Sequence, residues 1–353
     1  MKYPAISTID QVVPELAHFD TVIDVRSPSE YAEDHLPGAI NCPVLNDEER
    51  VQVGTLYKQV GSFEAKRLGA GLVAMNISKH LATTLAQKPR EWRPLIYCWR
   101  GGNRSGSMAH ILAKIGWPVT QLDGGYKAYR NLVNQQLAGL VDGIQWRVLC
   151  GPTGSGKSRL LNCLEKMGEQ VLDLEGLACH KGSVLGDIPS QKQPSQKYFE
   201  TLLWEKLRTF DKTKKVYVEA ESKKVGNLRV PESIMTNIRE AACISLEPSI
   251  EYRVQFLMED YPHFIQQPEK LNRQLDYLAH LHGKEKIQQW KEWAHAGTIE
   301  KLVTDLLQLH YDPAYNKSIR RNFVQFPHAT CIQLARLTEE NLQQAADFIR
   351  KNT

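Results

Sequence analysis

Short apolar runs alternate with amphipathic stretches along most of the chain. Thr21-Val22-Ile23-Asp24-Val25-Arg26, Leu95-Ile96-Tyr97, Val119-Thr120-Gln121-Leu122, residues 144–150 and Val216-Tyr217-Val218 are brief and rich in β-branched or aromatic side chains. Runs of that length and composition predict strands buried on both faces. Between them, Met108, Ile111, Leu112 and Ile115 recur at helical spacing, and helices are expected over 76–87, 125–140, 159–167 and 339–351. Ser27-Pro28-Ser29-Glu30 reads as a helix cap and first turn. From 249 to about 308 the pattern is helical throughout, with Trp290 and Trp293 at core spacing, and Cys331-Ile332-Gln333-Leu334 predicts a last strand. Strands alternating with helices imply parallel sheets, with chemistry at the carboxyl ends of the strands. Residues 44–75 hold Gly54, Gly61, Gly69 and Gly71 with Arg50, Lys58, Lys66 and Arg67. They are expected as one long insertion loop, of the kind that forms functional lids.

At 353 residues the chain is long enough for two domains, each with its own core. Hydrophobic residues make up 42% and charged residues 24%, as in ordinary soluble globular proteins. The net charge of +4 is slight, so a nucleic-acid surface has to be a local patch. Seven cysteines are scattered without a CxxC pair, which argues against a zinc ribbon or a disulfide framework and fits a reducing compartment. No direct protein cluster with metal-ligand spacing is present. No apolar run reaches the ~18 residues of a membrane span, and a cytoplasmic protein without membrane contact is expected.

The most informative stretch is Leu95-Ile96-Tyr97-Cys98-Trp99-Arg100-Gly101-Gly102-Asn103-Arg104-Ser105. A strand, a Gly-rich loop and a helix start bring successive backbone N–H groups around one point, above the positive end of a helix dipole. Arg100 and Arg104 add charge there. Such surroundings favour thiolate, the form a nucleophile requires. A buried structural cysteine at a strand end is the alternative. Cys98 through Ser105 resembles the active-site loop of the rhodanese family, whose cysteine carries a chalcogen as a persulfide. Common sulfurtransferase loops resemble C-x4-R, whereas Cys98 to Arg104 is C-x5-R; the longer loop is similar to that of rhodanese-fold phosphatases and is expected to cradle a larger group. Asp24-Val25-Arg26, the run His35-Leu36-Pro37-Gly38-Ala39-Ile40-Asn41 and the turn Gly124-Gly125-Tyr126 resemble the same family, which packs the first two beneath the cysteine loop. His35 is read as a hydrogen-bonded structural histidine.

The second motif is Gly151-Pro152-Thr153-Gly154-Ser155-Gly156-Lys157-Ser158, entered from a strand and followed by a helix. This is GxxxxGK[ST] with both flanks in place. Its backbone N–H groups are expected to wrap a di- or triphosphate, with Lys157 on the terminal phosphates and Ser158 near magnesium. The site residues are thus Gly151, Thr153, Gly154, Ser155, Gly156, Lys157 and Ser158. Downstream, Val216-Tyr217-Val218-Glu219-Ala220-Glu221 ends in two carboxylates that share a face, where a P-loop protein places the acid that supports magnesium or orients water. A strand-end salt bridge is the alternative. Asp173, ending a short strand before Cys179-His180-Lys181-Gly182-Ser183, is a third candidate of this kind. Two basic clusters, Lys223-Lys224 with Arg229 and Lys317 with Arg320-Arg321, are candidate tRNA contacts. The second follows His310, Tyr311 and Tyr315, and aromatic residues interleaved with cations suit an unpaired nucleotide; solvated helix faces explain either cluster alone as well.

A thiol cradle joined to a polyphosphate cradle, together with Cys98-Trp99-Arg100-Gly101-Gly102, resembles the bacterial tRNA 2-selenouridine synthases across nearly the whole chain. The expected fold is α/β: a rhodanese-like parallel sheet with helices over 1–137 (core about 14–137), then a P-loop NTPase-like α/β domain with a helical insertion over 142–353. The resemblance implies an enzyme that exchanges the sulfur of wobble 2-thiouridine in tRNA for selenium. Selenophosphate would be the donor, and S-geranyl-2-thiouridine made from geranyl diphosphate the intermediate. Cys98 would be the nucleophile and carry selenium as a selenylsulfide-type adduct. Arg100, Gly101, Gly102 and Arg104 would hold the selenophosphate oxyanion. Lys157 and Ser158 would hold geranyl diphosphate with magnesium, supported by Glu219 or Glu221. The tRNA partners implied are the Lys, Glu and Gln acceptors, met by a monomer with a transient selenophosphate-supplying partner. His180-Lys181-Gly182-Ser183 has Lys where relatives are expected to carry Arg, and the two differ in bidentate recognition. Two other classes remain open: an ATP-dependent tRNA sulfurtransferase, and a C-x5-R phosphatase or arsenate reductase of rhodanese fold.

Overall fold

The computed structural model describes residues 3–183, 185–188, 191–334 and 336–353. The chain forms two compact units, Met1–Leu137 with Ser195–Glu205, and Ala138–Pro194 with Lys206–Thr353. Ser195–Glu205, which the motif boundaries assign to the second domain, thus groups with the first. The reason is burial. Phe199, Leu203 and Trp204 of the helix Gln196–Arg208 are fully buried, and Trp204 meets Tyr129 edge-on at 5.6 Å.

The first unit is a five-stranded sheet of β1 (Ala5–Ser7), β2 (Thr21–Asp24), β3 (Ile40–Asn41), β4 (Pro94–Tyr97) and β5 (Thr120–Leu122), in the order β1-β5-β4-β2-β3. Every pairing is parallel. Its core packs Ile23, Val25 and Ile96 against Met108 and Leu112 of the helix Asn103–Ile115. The insertion expected as a loop is instead a pair of helices, Asp47–Gln59 and Ser62–Ala82, and the second takes in most of the helix expected at 76–87. Asn46 and Glu49 form a capping box at the start of the first helix. Weak patterning hides the pair: Ala65, Gly69 and Ile77 are buried while Val51, Tyr57, Val60 and Phe63 are exposed, so no clean apolar stripe marks one face.

The second unit has a parallel sheet of β6 (Gln145–Cys150), β7 (Gln170–Leu172), β8 (Lys215–Glu219), β11 (Ala242–Pro248) and β12 (Thr330–Leu334), in the order β12-β11-β6-β8-β7. A small antiparallel ribbon, β9 (Lys224–Val225) and β10 (Leu228–Arg229), lies between β8 and β11 in sequence. β6 is central and runs into the glycine-rich loop. The region 249–308 is helical but not continuous. Pro262, Pro268, Gly283 and Gly297 break it into short helices, since proline removes a helical hydrogen bond and glycine favours termini. Trp290 and its neighbours form a separate core there, and its indole N–H donates to Asp305 at 2.7 Å. Among the described residues no helix is long and apolar enough to cross a membrane.

Candidate functional site

In the first unit Cys98 leaves the carboxyl end of β4 and is buried. Ser105 Oγ donates to its Sγ at 3.2 Å. The loop is pinned from the end of β5: Tyr126 N–H donates to Cys98 O at 2.8 Å and Lys127 N–H to Trp99 O at 3.0 Å. Gln121 Nε2 reaches Gly101 O at 2.6 Å and Ser105 Oγ at 3.1 Å. Gly125 has φ of +56°, and a Cβ there would overlap Cys98 O and stand 2.6 Å from Gly101 N, so the turn must be glycine for the two loops to meet. Near them Arg26 forks onto Asp24, a fully buried pair, with its guanidinium 4.0 Å from the Tyr126 ring centroid. His35 is hydrogen-bonded through Nδ1 to Tyr31 O at 2.9 Å and stacked between Tyr31 and Tyr198, which is a packing role.

Cys98, Trp99, Arg100, Gly102, Asn103 and Arg104 line one cavity beside the thiol. Arg100 is exposed there. Arg104 is engaged elsewhere: its Nη1 and Nη2 donate to Glu30 at 2.5 and 3.2 Å. Burial alone would raise the Glu30 carboxyl, but Arg104 foremost, with the Ser27 N–H and the more distant Arg50, together hold the group below its ordinary value. The oxyanion-binding role expected of Arg104 is therefore met by a guanidinium already committed to a carboxylate. A third cation, Arg50 of the helix Asp47–Gln59, lines the same cavity. It is in the insertion, whose chemistry cannot be read from sequence without the helix pair.

In the second unit Gly151, Thr153, Gly154, Ser155, Gly156, Lys157 and Ser158 wrap one end of a cavity at the head of the helix Lys157–Lys166. Lys157 Nζ donates to Gly151 O at 2.7 Å. Ser158 Oγ donates to Glu175 Oε2 at 2.8 Å. Glu175 is the carboxylate that sequence reading passed over; its neighbour Asp173 caps the helix Leu174–Ala178 by accepting from Gly176 N–H at 2.7 Å. Asp173 still lines the cavity, but that bond ties one of its oxygens to the cap. Glu219 is buried, and its Oε1 accepts the Glu175 N–H at 2.7 Å while Oε2 has no hydrogen-bond partner. Glu221, half-buried, lines the cavity. Burial and the adjacent Glu175 push its carboxyl up to about 8, and burial with Asp173 and Glu175 raises Glu219 well above its ordinary value. The two carboxylates therefore converge on Glu175, not on a shared salt bridge. Arg253, also unforeseen, donates to Thr153 O at 2.9 Å and forks onto Asp312 at 2.9 and 2.5 Å, bracing the loop. Lys181 lines the cavity and pairs with Asp260.

Beside this polar cradle lies a small, almost wholly apolar cavity of about 70 Å³. Thr153, Ser183, Leu257, Tyr261 and Tyr311 line both, and Phe264, Leu271, Leu302 and Leu306 continue the wall.

Residues 144–333 match the family description tRNA 2-selenouridine synthase AAA domain, and residues 10–132 match Rhodanese-like domain. The tRNA 2-selenouridine synthase of Nitrosomonas europaea is 37% identical over 268 residues, 74% of this chain and 68% of that protein. That of a Sulfurovum species is 33% identical over 333 residues, 85% and 89% of the respective chains, and that of Alcanivorax borkumensis is 31% identical over 332 residues, 85% and 90%. The chain belongs to the tRNA 2-selenouridine synthase family. It is therefore an enzyme.

The basic clusters are arranged differently from expectation. Lys317, Arg320 and Arg321 are exposed on the helix Asp312–Asn322, but Tyr311 and Tyr315 turn inward and line the phosphate cradle. The aromatics therefore do not join the cations as a stacking surface. Lys223 pairs with Glu232, while Lys224 and Arg229 are exposed on the β9–β10 ribbon. Among the described residues no three His, Cys, Asp or Glu side chains group to hold a metal ion.

Proposed function

We propose that this chain replaces the 2-sulfur of a wobble 2-thiouridine in tRNA by selenium in two stages, one at each cradle. The first stage alkylates the sulfur: it attacks C1 of geranyl diphosphate, the C–O bond breaks and diphosphate leaves. The observation that carries this reading is the apolar cavity sharing a wall with the phosphate cradle. A nucleotide would need polar partners beyond its phosphates, whereas an apolar chain attached to a diphosphate needs the combination present here. Lys157 and the loop N–H groups would take the diphosphate. Ser158 and Glu175, 2.8 Å apart, offer hard oxygen donors that would hold magnesium, and the ion would supply neutralisation of the departing charge.

The second stage takes selenium from selenophosphate. The Cys98 thiolate, at a strand end and next to a helix start, attacks the phosphorus and the P–Se bond breaks. The selenide released adds at C2 of the base and expels geranyl thiol. Water then frees the cysteine as phosphate leaves, and Arg100 receives the oxyanion. S-alkylation makes the sulfur a better leaving group, which gives the first stage its chemical purpose. The tRNA substrates would be the Lys, Glu and Gln acceptors, bound in part by Lys224, Arg229, Lys317, Arg320 and Arg321, and the enzyme is proposed to act as a monomer supplied with selenophosphate by a transient partner.

The test uses purified protein with 2-thiouridine tRNA, geranyl diphosphate, magnesium and selenophosphate, followed by mass analysis of nucleosides. Cys98→Ala should accumulate the S-geranyl nucleoside, and Lys157→Ala should leave thiouridine unchanged. Thiouridine unchanged with wild-type protein while ATP is consumed would overturn the reading in favour of an ATP-dependent enzyme.

A further inference from the structure

We propose that Arg50, and not Arg104, joins Arg100 in holding the oxyanion of the selenium donor beside Cys98. The donor's identity rests on the preceding reading; the subsite itself needs only a phosphate-like dianion. Three guanidinium groups line the thiol cavity, from Arg50, Arg100 and Arg104. Arg104 has both terminal nitrogens on Glu30, at 2.5 and 3.2 Å. Its side chain is only 16% exposed, and the pair is neutral. Arg50 stands differently: Nε is 3.9 Å from Glu30 Oε2, outside hydrogen-bond reach, and its side chain is 43% exposed. The cavity therefore holds two cations not neutralised by a hydrogen-bonded carboxylate, from opposite sources: Arg100 from the cysteine loop and Arg50 from the helix Asp47–Gln59. Two positive charges and forked N–H donors suit a phosphate-like dianion.

The sequence of that helix supports the same assignment independently. Gly54 lies one turn after Arg50 in the interior of the helix, where glycine is unfavourable relative to alanine. A Cβ built at Gly54 meets one neighbouring heavy atom within 4 Å, Nη1 of Arg50 at 3.1 Å. The missing side chain thus leaves room for the guanidinium along the helix surface. The insertion helix brings a charge to the thiol, and Gly54 clears its place.

The experiment follows the rate at which iodoacetamide alkylates Cys98 in the full chain, with inorganic phosphate or selenophosphate as protecting anion. Both should protect the wild type. In Arg50→Ala the half-protecting concentration should rise roughly tenfold or more; Arg50→Lys should recover part of the loss, and Gly54→Leu should fall between. The double variant Glu30→Gln/Arg104→Gln, which removes the neutral pair as a unit, should stay within about twofold of wild type, and Arg50→Ala should raise KM for selenophosphate without moving KM for tRNA. Absence of protection in the wild type, or protection indifferent to Arg50, overturns the inference. A wild type that transfers no selenium but shows Arg50-dependent protection by phosphate overturns the donor's identity and leaves the subsite standing.

Discussion

Ser158 Oγ donates to Glu175 Oε2 across 2.8 Å, joining the last residue of the phosphate loop to a short helix after β7. Glu175 is in turn held through its N–H by the buried Glu219. Glu175→Gln and Ser158→Ala should each slow the proposed alkylation of tRNA sulfur roughly 10- to 100-fold. The double variant should be little worse than either single one, because the groups act as a unit. Additive losses in single-turnover measurements would show that they act separately.

Arg253 supports the same loop from outside. Its guanidinium is buried between Thr153 O and the Asp312 carboxylate. Arg253→Ala removes the brace and strands Asp312, which keeps some solvent, so the cost should be about 2–3 kcal/mol of unfolding free energy. Affinity for geranyl diphosphate, read by calorimetry below the unfolding temperature, should fall as well. Arg253→Lys should recover charge but not the three-way geometry.

Glu221 predicts a pH effect with a definite sign. Its carboxyl is raised from an ordinary 4.5 to about 8, by burial first and by Glu175 second. A raised acid contributes stability that is fully present below 4.5 and is lost as pH rises through about 8. Glu221→Gln has no such loss. Its unfolding temperature relative to wild type should therefore climb by a few degrees between pH 5 and pH 8.5, measured without diphosphate; a constant difference would show an ordinary carboxylate.

In the first unit, buried Asp34 accepts from Tyr126 OH and Thr201 Oγ1, both at 2.8 Å. Thr201 belongs to Ser195–Glu205, far along the chain. Thr201→Val keeps the shape but leaves one carboxylate oxygen short of a donor, and should cost roughly 1–3 kcal/mol in urea unfolding. Asp34→Ala should cost more, since it strips the partner from two hydroxyls.

Legibility in the sequence followed locality. Cys98 with its Gly-rich loop, and the run from Gly151 to Ser158, place their functional atoms through consecutive backbone units, so a motif nearly specifies a geometry. Gly125 was visible as a turn, but its close approach to Cys98 depends on β4 and β5 being neighbours. Glu175, Arg253 and Arg50 act from elements that reach the cradles only through packing, and an isolated acid or arginine on a helix has no signature. The helix pair in the insertion had one cue, the capping box of Asn46 and Glu49, set against Gly54, Gly69 and Gly71, which sit inside the helices; of the insertion's glycines only Gly61 lies between the two. Ser195–Glu205 resembles its sequence neighbours and differs only in what it packs on.

The shared wall between the polar cradle and its apolar annex has one more consequence. A prenyl diphosphate fixed by its anionic head, as proposed, would be measured from that end, and the site would act as a gauge of length. Each methylene that finds the annex adds up to ~0.8 kcal/mol, while one reaching past the far wall has to push aside packed side chains such as Leu271 and Leu302, both buried. Selection among prenyl donors would then be a matter of depth, with no polar group needed to read the tail.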